Sequence, residues 1–187
     1  MPLGFVFAAV FLWLARPSWR TMAASLVLVL PGLWLRGYAS GYVKKNAELT
    51  TTGPYAHTRN PLYLGSMLIA FGFAAAAWRW EILVALVGLF AAIYVPTILG
   101  EEEYLRGHFA GFDSYARAVP QLLPRLLPLW NGAPAASQQQ DGGDAVPIAG
   151  KGGFSGALYR QHREYNSAMG AVAIYLALVA RLLVHAR

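Results

Sequence analysis

Five apolar stretches, at residues 3–15, 21–35, 62–78, 82–99 and 168–184, constrain this chain more than anything else in it. A helix that spans a bilayer needs ~20 mainly apolar residues, with a range of ~17–25. Segment 3–15 reaches that length only if Met1 and the flank 16–19 sit among the headgroups, with Arg16 snorkelling. It has no basic n-region and no A-x-A cleavage site, which favours a retained helix over a signal peptide. The chain is 57% hydrophobic and 13% charged, against about 25% charged in soluble domains. That excludes an ordinary soluble domain, a disordered chain and a charge-rich coiled coil. Strand signals are essentially absent. The expected fold is an all-α integral membrane protein with about five transmembrane helices.

The net charge of +6 suits an anionic membrane surface or an anionic ligand, whereas aromatics embedded in apolar runs speak against nucleic acid. Zero cysteines exclude disulfides and thiolate chemistry, and the four His form no HExxH or H-x₃-H pattern, so no metal site is expected. Orientation follows the basic residues. If all five stretches span, Arg36, Lys44, Lys45, Arg59, Arg106, Arg117, Arg125, Lys151, Arg160 and Arg163 share one side. Arg16, Arg20, Arg79 and Arg187 share the other, and Arg181 interrupts the last helix. This bias puts the N-terminus and both long polar segments in the cytoplasm of a bacterial-type inner membrane. Trp13, Trp19, Trp34, Trp78 and Trp80 lie near helix ends, as an aromatic belt does. Three parts are expected: a membrane core over 1–130, a flexible cytoplasmic linker over 131–156, and a juxtamembrane segment with the final helix over 157–187. Gly37-x-x-x-Gly41 is a candidate close-packing motif.

Two segments carry polar residues that a plain membrane hairpin does not need. The first runs from Thr52 to Gly65. Gly53-Pro54 breaks the preceding structure, and Asn60 is placed to cap a helix whose first residue is Pro61. Turn and cap chemistry explains Gly53, Pro54, Asn60 and Pro61. It leaves Tyr55, His57, Arg59 and Tyr63 clustered at one membrane mouth. A helix N-terminus together with Arg59 makes a site for a carboxylate or phosphate, although Arg59 alone is also what a headgroup contact requires.

The second segment runs from Glu101 to Pro120. At 100° per residue, Leu105, Phe109, Phe112 and Ala116 share one face, provided that the preceding helix continues. Glu101 and Glu102 border that face, and Glu103 points nearly opposite. Carboxylates beside an apolar core need a partner, either Arg59 or a cationic ligand. Arg160-Gln-His-Arg-Glu-Tyr165, before the last helix, reads as a basic juxtamembrane anchor or as part of a substrate mouth.

The run Gly-Pro-Tyr-x-x-x-Arg-Asn-Pro-x-Tyr-x-Gly (53–65), a hydrophobic hairpin, Glu-Glu-x-x-x-x-x-x-Phe (101–109) and Tyr-x-x-x-Val-Pro-x-x-x-Pro (115–124) resembles the isoprenylcysteine carboxyl methyltransferase family. That family belongs to a wider group that includes phospholipid N-methyltransferases, and the resemblance covers about residues 36–125. It implies a membrane enzyme with S-adenosylmethionine in a cytoplasm-facing pocket. The matching positions are Tyr55, Arg59, Asn60, Pro61, Tyr63, Gly65, Glu101 and Glu102. The family's frequent Arg-His-Pro is Arg59-Asn60-Pro61, so the task of that His passes to Asn60 or to His57. The usual Phe-Gly is Phe109-Ala110, and Ala118 stands where a basic residue often precedes Val-Pro.

The resemblance therefore implies S-adenosylmethionine-dependent methyl transfer to a lipophilic acceptor, first of all a prenylcysteine-like carboxylate. Arg59 and Glu102 would carry the site, Glu101 would assist Glu102, and Tyr55 and Tyr63 would line it. A phospholipid amine or a small lipophilic thiol are alternative acceptors. Two other classes compete: a sterol-reductase-like NADPH enzyme, which shares Arg-x-Pro-x-Tyr-x-Gly, and a non-catalytic membrane subunit.

Overall fold

The computed structural model describes residues 2–43, 49–109, 111–125 and 153–185. Every regular element among them is helical. Five helices coincide with the five apolar stretches, each shifted or extended by a few residues: α1 (Pro2–Leu14), α2 (Trp19–Ser40), α3 (Pro61–Ala77), α4 (Trp80–His108) and α7 (Tyr165–His185). Two short helices, α5 (Phe112–Ala118) and α6 (Gly156–Gln161), and a 3₁₀ turn at Gly53–Ala56 carry the polar regions. Of the expected linker 131–156, residues 131–152 lie outside the described residues, as do Lys44 and Lys45.

Among the described residues, three helices are long and apolar enough to cross a membrane: Trp19–Ser40, Trp80–His108 and Tyr165–Val184. α3 is shorter, at 17 residues. α1 has 13 residues, roughly 20 Å at the α-helical rise, against a hydrocarbon thickness of about 30 Å. The outward faces of the long helices are apolar, with Val27 74%, Val84 59% and Leu176 65% exposed. Contiguous apolar surface on this scale suits hydrocarbon rather than water as the surrounding solvent. The chain is an all-helical membrane protein.

It forms two compact units. The first comprises Met1–Trp34, Gly65–Ile93 and Tyr165–Arg187, with a core that includes Phe11, Met22, Val29, Phe73, Leu86 and Leu178. Lipid gives helices no hydrophobic reason to associate, so close packing by small residues has to hold them. A Cβ on Gly32 would sit 2.8 Å from the Gly65 carbonyl, and one on Gly72 would sit 2.5 Å from Val29 Cγ2. The polar groups inside this unit are satisfied: Ser25 donates to the Met22 carbonyl at 2.6 Å and accepts from the Tyr175 hydroxyl at 2.7 Å. The last carbonyls of α3, which have no partner in their own helix, are also met. Thr21 Oγ1 donates to Ala76 at 3.0 Å, and the Arg16 N–H donates to Ala77 at 2.9 Å.

The second unit comprises Leu35–Leu64 and Tyr94–Glu164. Its core is small and aromatic: Leu49, Phe109, Phe112, Tyr115 and Val119. α4 stops at His108 rather than running on, and α5 restarts at Phe112. Leu105, Phe109, Phe112 and Ala116 nevertheless pack in one cluster, so the expected apolar face survives the break.

The contact at Gly72 gives the first prediction. Gly72→Val should lower the stability of the detergent-solubilised protein by about 1–3 kcal/mol, because the added atoms meet Val29 and the Ser25 carbonyl. Gly88→Ala, which meets nothing within 4 Å, should be neutral or slightly stabilising. Thermal midpoints of the two variants check this.

Candidate functional site

The loop that precedes α3 begins at a position only glycine suits. Gly53 has a φ of +60°, and a Cβ there would lie 2.6 Å from the Tyr42 ring. Pro54 follows as the second residue of the 3₁₀ turn, which buries Tyr55 and delivers the chain to His57. Pro61 is the first residue of α3, where its missing N–H costs nothing.

Residues 57–60 do not stand alone. They are laced to the segment 115–125 along their whole length. The Arg59 N–H donates to the Pro120 carbonyl at 2.9 Å, and the Arg125 N–H donates to the His57 carbonyl at 3.1 Å. His57 Nδ1 donates to the Arg125 carbonyl at 2.8 Å. Thr58 Oγ1 donates to Leu122 at 3.1 Å, and Asn60 Nδ2 donates to Gln121 at 2.9 Å. From α5, the Tyr115 hydroxyl donates to the Tyr55 carbonyl at 2.7 Å. Asn60 behaves as a helix-start residue through its carbonyl, which accepts from the Leu64 N–H at 3.0 Å. Its side chain ties two loops together.

This clamp holds Arg59 against the end of α4. Arg59 Nη1 lies 3.4 Å from Glu102 Oε2, and both side chains are largely buried, at 14% and 12% exposure. The pair is incomplete. Arg59 Nε and Glu102 Oε1 are buried and have no hydrogen-bond partner, and the same holds for Thr51 Oγ1. A buried charge with an unfilled hydrogen-bonding position is costly, and this pair presents one unfilled donor and one unfilled acceptor. The free guanidinium N–H needs an acceptor and the free carboxylate oxygen needs a donor. A zwitterion with a carboxylate beside an ammonium supplies both.

The neighbouring residues shape this site. Glu101 is exposed and accepts from the Tyr63 hydroxyl at 2.8 Å, and the Tyr63 ring meets Tyr94 edge to face at 4.9 Å. Glu103 is exposed, as the helical wheel requires. Burial pushes the Tyr55 phenol well above its usual range, with the charges of Glu101 and Glu164 adding to the effect. Burial likewise raises Tyr115. Both therefore remain neutral phenols across the physiological range.

Of the residues singled out in the sequence, Tyr55, His57, Arg59, Asn60, Pro61, Tyr63, Glu101 and Glu102 all fall in the second unit, and Gly65 falls in the first, against Gly32. His57 spends Nδ1 on the clamp. Sequence reasoning missed Thr51, whose burial leaves no trace in a Thr-Thr-Thr run. It also missed the bidentate pair of Arg36 with Glu164, at 3.0 and 2.9 Å. Residues 154–164 pack on the end of α2: the Ser155 N–H donates to Gly41 at 2.8 Å and His162 Nδ1 donates to Ser40 at 3.0 Å. The Phe154 and Tyr159 rings cover Gly41 and Gly37. The Gly37-x-x-x-Gly41 pattern therefore seats aromatic rings.

The model of the phospholipid methyltransferase family matches residues 22–111, which include both Arg59 and Glu102. Residues 22–111, just under half of the chain, are thus similar to the phospholipid methyltransferase family. It is a family of membrane methyltransferases, the wider group that the sequence motifs resemble. The chain is similar to the nickel-cobalt-cadmium resistance protein NccN of Alcaligenes xylosoxydans, with 38% identity over 94 residues, 50% of this chain and 43% of NccN. It is 37% identical over the same share to the cobalt-zinc-cadmium resistance protein CzcN of Cupriavidus metallidurans. The chain thus spans under half the length of these relatives. No solved structure matches it. The family match ends before Tyr115 and the strip 120–125, so it includes residues 57–60 of the clamp but not their partners.

Tyr115→Phe keeps the ring and removes the donor to a buried carbonyl. It should destabilise the protein by about 1–3 kcal/mol, read as a lower thermal midpoint. A second effect follows from the raised phenols. Their pKa values exceed those of the unfolded chain, near 10, so their contribution is full below that value and is lost as pH rises beyond it. Stability should fall in strong alkali, and less steeply in a Tyr55→Phe, Tyr115→Phe double variant.

Proposed function

We propose that this chain transfers a methyl group from S-adenosylmethionine to a lipophilic acceptor at the membrane, with a prenylcysteine-like carboxylate as the leading acceptor class. The observation that carries this reading is the incomplete pair of Arg59 and Glu102, with a buried donor and a buried acceptor both unfilled. The amino-acid end of S-adenosylmethionine carries a carboxylate and an ammonium, which match Arg59 Nε and Glu102 Oε1 in polarity. When bound, the cofactor supplies an activated methyl group. Arg59 holds the carboxylate through its planar fork, and Glu102 takes the ammonium, with Glu101 beside it. Tyr55 and Tyr63 provide neutral walls. The clamp fixes Arg59 before ligand arrives, so little ordering remains to be done on binding. A carboxylate or thiolate acceptor is already ionised or nearly so and needs no general base, whereas an amine would need one, such as Glu102.

The reading is tested by calorimetry with S-adenosylmethionine on the full chain in detergent. Glu102→Gln should weaken binding by ~1.5–3 kcal/mol, about ten- to a hundredfold, while Glu103→Gln, on the exposed side, should bind like wild type. Arg59→Lys keeps the charge, loses the fork and should bind clearly more weakly; Arg59→Ala should be weaker still. Equal affinities across these variants, or tight binding of NADPH in place of S-adenosylmethionine, would remove the assignment.

The basic residues support an orientation with this site in the cytoplasm of a bacterial inner membrane. The chain has no cysteine, so Ser137→Cys creates a single thiol. It should react with a membrane-impermeant maleimide only after the membrane is permeabilised.

The relatives' names join this segment to metal resistance. A second reading gives the chain a part in such a system, through methylation of a membrane component. A strain lacking the gene should then gain cobalt sensitivity that wild type relieves and Glu102→Gln does not.

A further inference from the structure

The carbonyls that end a helix have no partner inside it. At the end of α2 they are met from far along the chain. His162 Nδ1 donates to the Ser40 carbonyl at 3.0 Å, and the Ser155 N–H donates to the Gly41 carbonyl at 2.8 Å. Both donors belong to residues 154–164, which carry α6, fall in the second unit and lie outside the span similar to the family. A charge pair fastens the last residue of this segment. Arg36 grips Glu164 through Nε and Nη2 at 3.0 and 2.9 Å, with the two side chains only 24% and 11% exposed. A two-point contact of this kind fixes direction as well as distance, and at such burial the loss of either partner leaves the other poorly solvated. The first residue of the segment is fastened by aromatic rings. Phe154 lies 6.3 Å from Tyr42 and 6.1 Å from Tyr38, and the two tyrosines meet edge to face at 5.0 Å with their hydroxyls 2.9 Å apart.

Tyr42 carries this fastening toward the candidate site. Its ring occupies the space that a Cβ on Gly53 would need, 2.6 Å away, and its carbonyl accepts from Thr50 Oγ1 at 3.4 Å. Gly53 opens the turn that presents Tyr55. Burial first, and then the charges of Glu101 and Glu164, push the Tyr55 phenol up, so the Glu164 carboxylate stands within electrostatic reach of the same ring. Both ends of residues 154–164 thus lead to Tyr55. We propose that Arg36 and Glu164 are positioning residues of the candidate site: by fastening residues 154–164 to the end of α2 they hold Tyr42, and through it the turn that carries Tyr55, where ligand binding requires them. The inference rests on the proposed binding of S-adenosylmethionine beside Arg59 and Glu102. Neither Arg36 nor Glu164 is asked to touch the ligand. The clamp holds residues 57–60 on one flank of Tyr55, and this fastening holds residues 50–53 on the other. A wall that is ordered in advance lowers the cost of ordering it when ligand binds.

Binding of S-adenosylmethionine is measured by calorimetry on the full chain in detergent, well below the thermal midpoint of each variant, so that only folded protein is compared. Arg36→Gln and Glu164→Gln should each weaken binding about five- to tenfold, and the double variant no more than either alone, because a pair that acts as a unit is lost once. A pair that serves stability alone would lower the midpoint and leave the dissociation constant of the folded protein unchanged. Arg160→Gln removes the same charge as Arg36→Gln from an exposed position of the same segment, and should bind within about twofold of wild type. Should the Gln variants fail to fold, Arg36→Lys keeps the charge, gives up the two-point contact and should still bind more weakly than wild type. Wild-type affinity in Glu164→Gln, or in Arg36→Lys where that variant alone folds, overturns the proposal. Losses that multiply in the double variant, or an equal loss in Arg160→Gln, overturn it as well. If wild type itself does not bind S-adenosylmethionine, the proposed function falls and takes this inference with it. If wild type binds and responds to Glu102→Gln but not to these variants, only this inference falls.

Discussion

The ion pair of Arg59 and Glu102 sets the terms for the second unit. Two charges withdrawn from water lose hydration worth several kcal/mol per ion, and only good geometry returns it. At 3.4 Å, with Nε and Oε1 unfilled, the geometry is not good enough. Something else has to hold the two groups where they are. That work falls to the strip 57–60 and its partner 120–125, whose contacts are mostly main chain or end on main-chain carbonyls. Such contacts do not depend on the charge they support. The backbone N–H of Arg59 is itself one of them, so the position of the guanidinium is inherited from the loop rather than from Glu102.

The first unit shows the opposite economy of polar groups. Its buried Ser25 is satisfied twice over, and the closing carbonyls of α3 are met from the α1–α2 connection and the start of α2. Among the described residues, the buried side-chain atoms without a partner are Thr51 Oγ1, Arg59 Nε and Glu102 Oε1, and all three belong to the second unit. Native interiors rarely leave such atoms unmet, and each exception asks for a reason. Two of the three belong to the single ion pair of Arg59 and Glu102.

How much of this the sequence disclosed depended on periodicity. The five apolar helices were legible because length and hydropathy alone decide them. The start of α3 was legible because Asn60-Pro61 is a local signal, and the inward turn of Glu102 beside the outward turn of Glu103 followed from 100° per residue. The clamp was not legible. It pairs two irregular strips far apart in the chain, which have no repeat to betray them and bond mainly through groups every residue possesses. Gly37 and Gly41 do mark close packing, against the rings of Tyr159 on α6 and of Phe154, but a small-xxx-small pattern does not say what packs there. Gly107 and Gly111, weak helix formers, flank the end of α4 at His108.

The clamp also gives meaning to the places where this chain departs from the family it resembles. Where that family often has His, Asn60 donates from its amide to the Gln121 carbonyl at 2.9 Å. A ring N–H of His can make the same donation, so the exchange is compatible with a supporting role at this position and does not by itself remove a reacting group. Ala118, which stands where a basic residue often occurs, contributes its carbonyl to Arg125 Nη1 at 3.4 Å, a contact any residue supplies. Both departures fall on the scaffold. The two groups with unfilled bonding positions, Arg59 and Glu102, are those the family motif retains in this sequence.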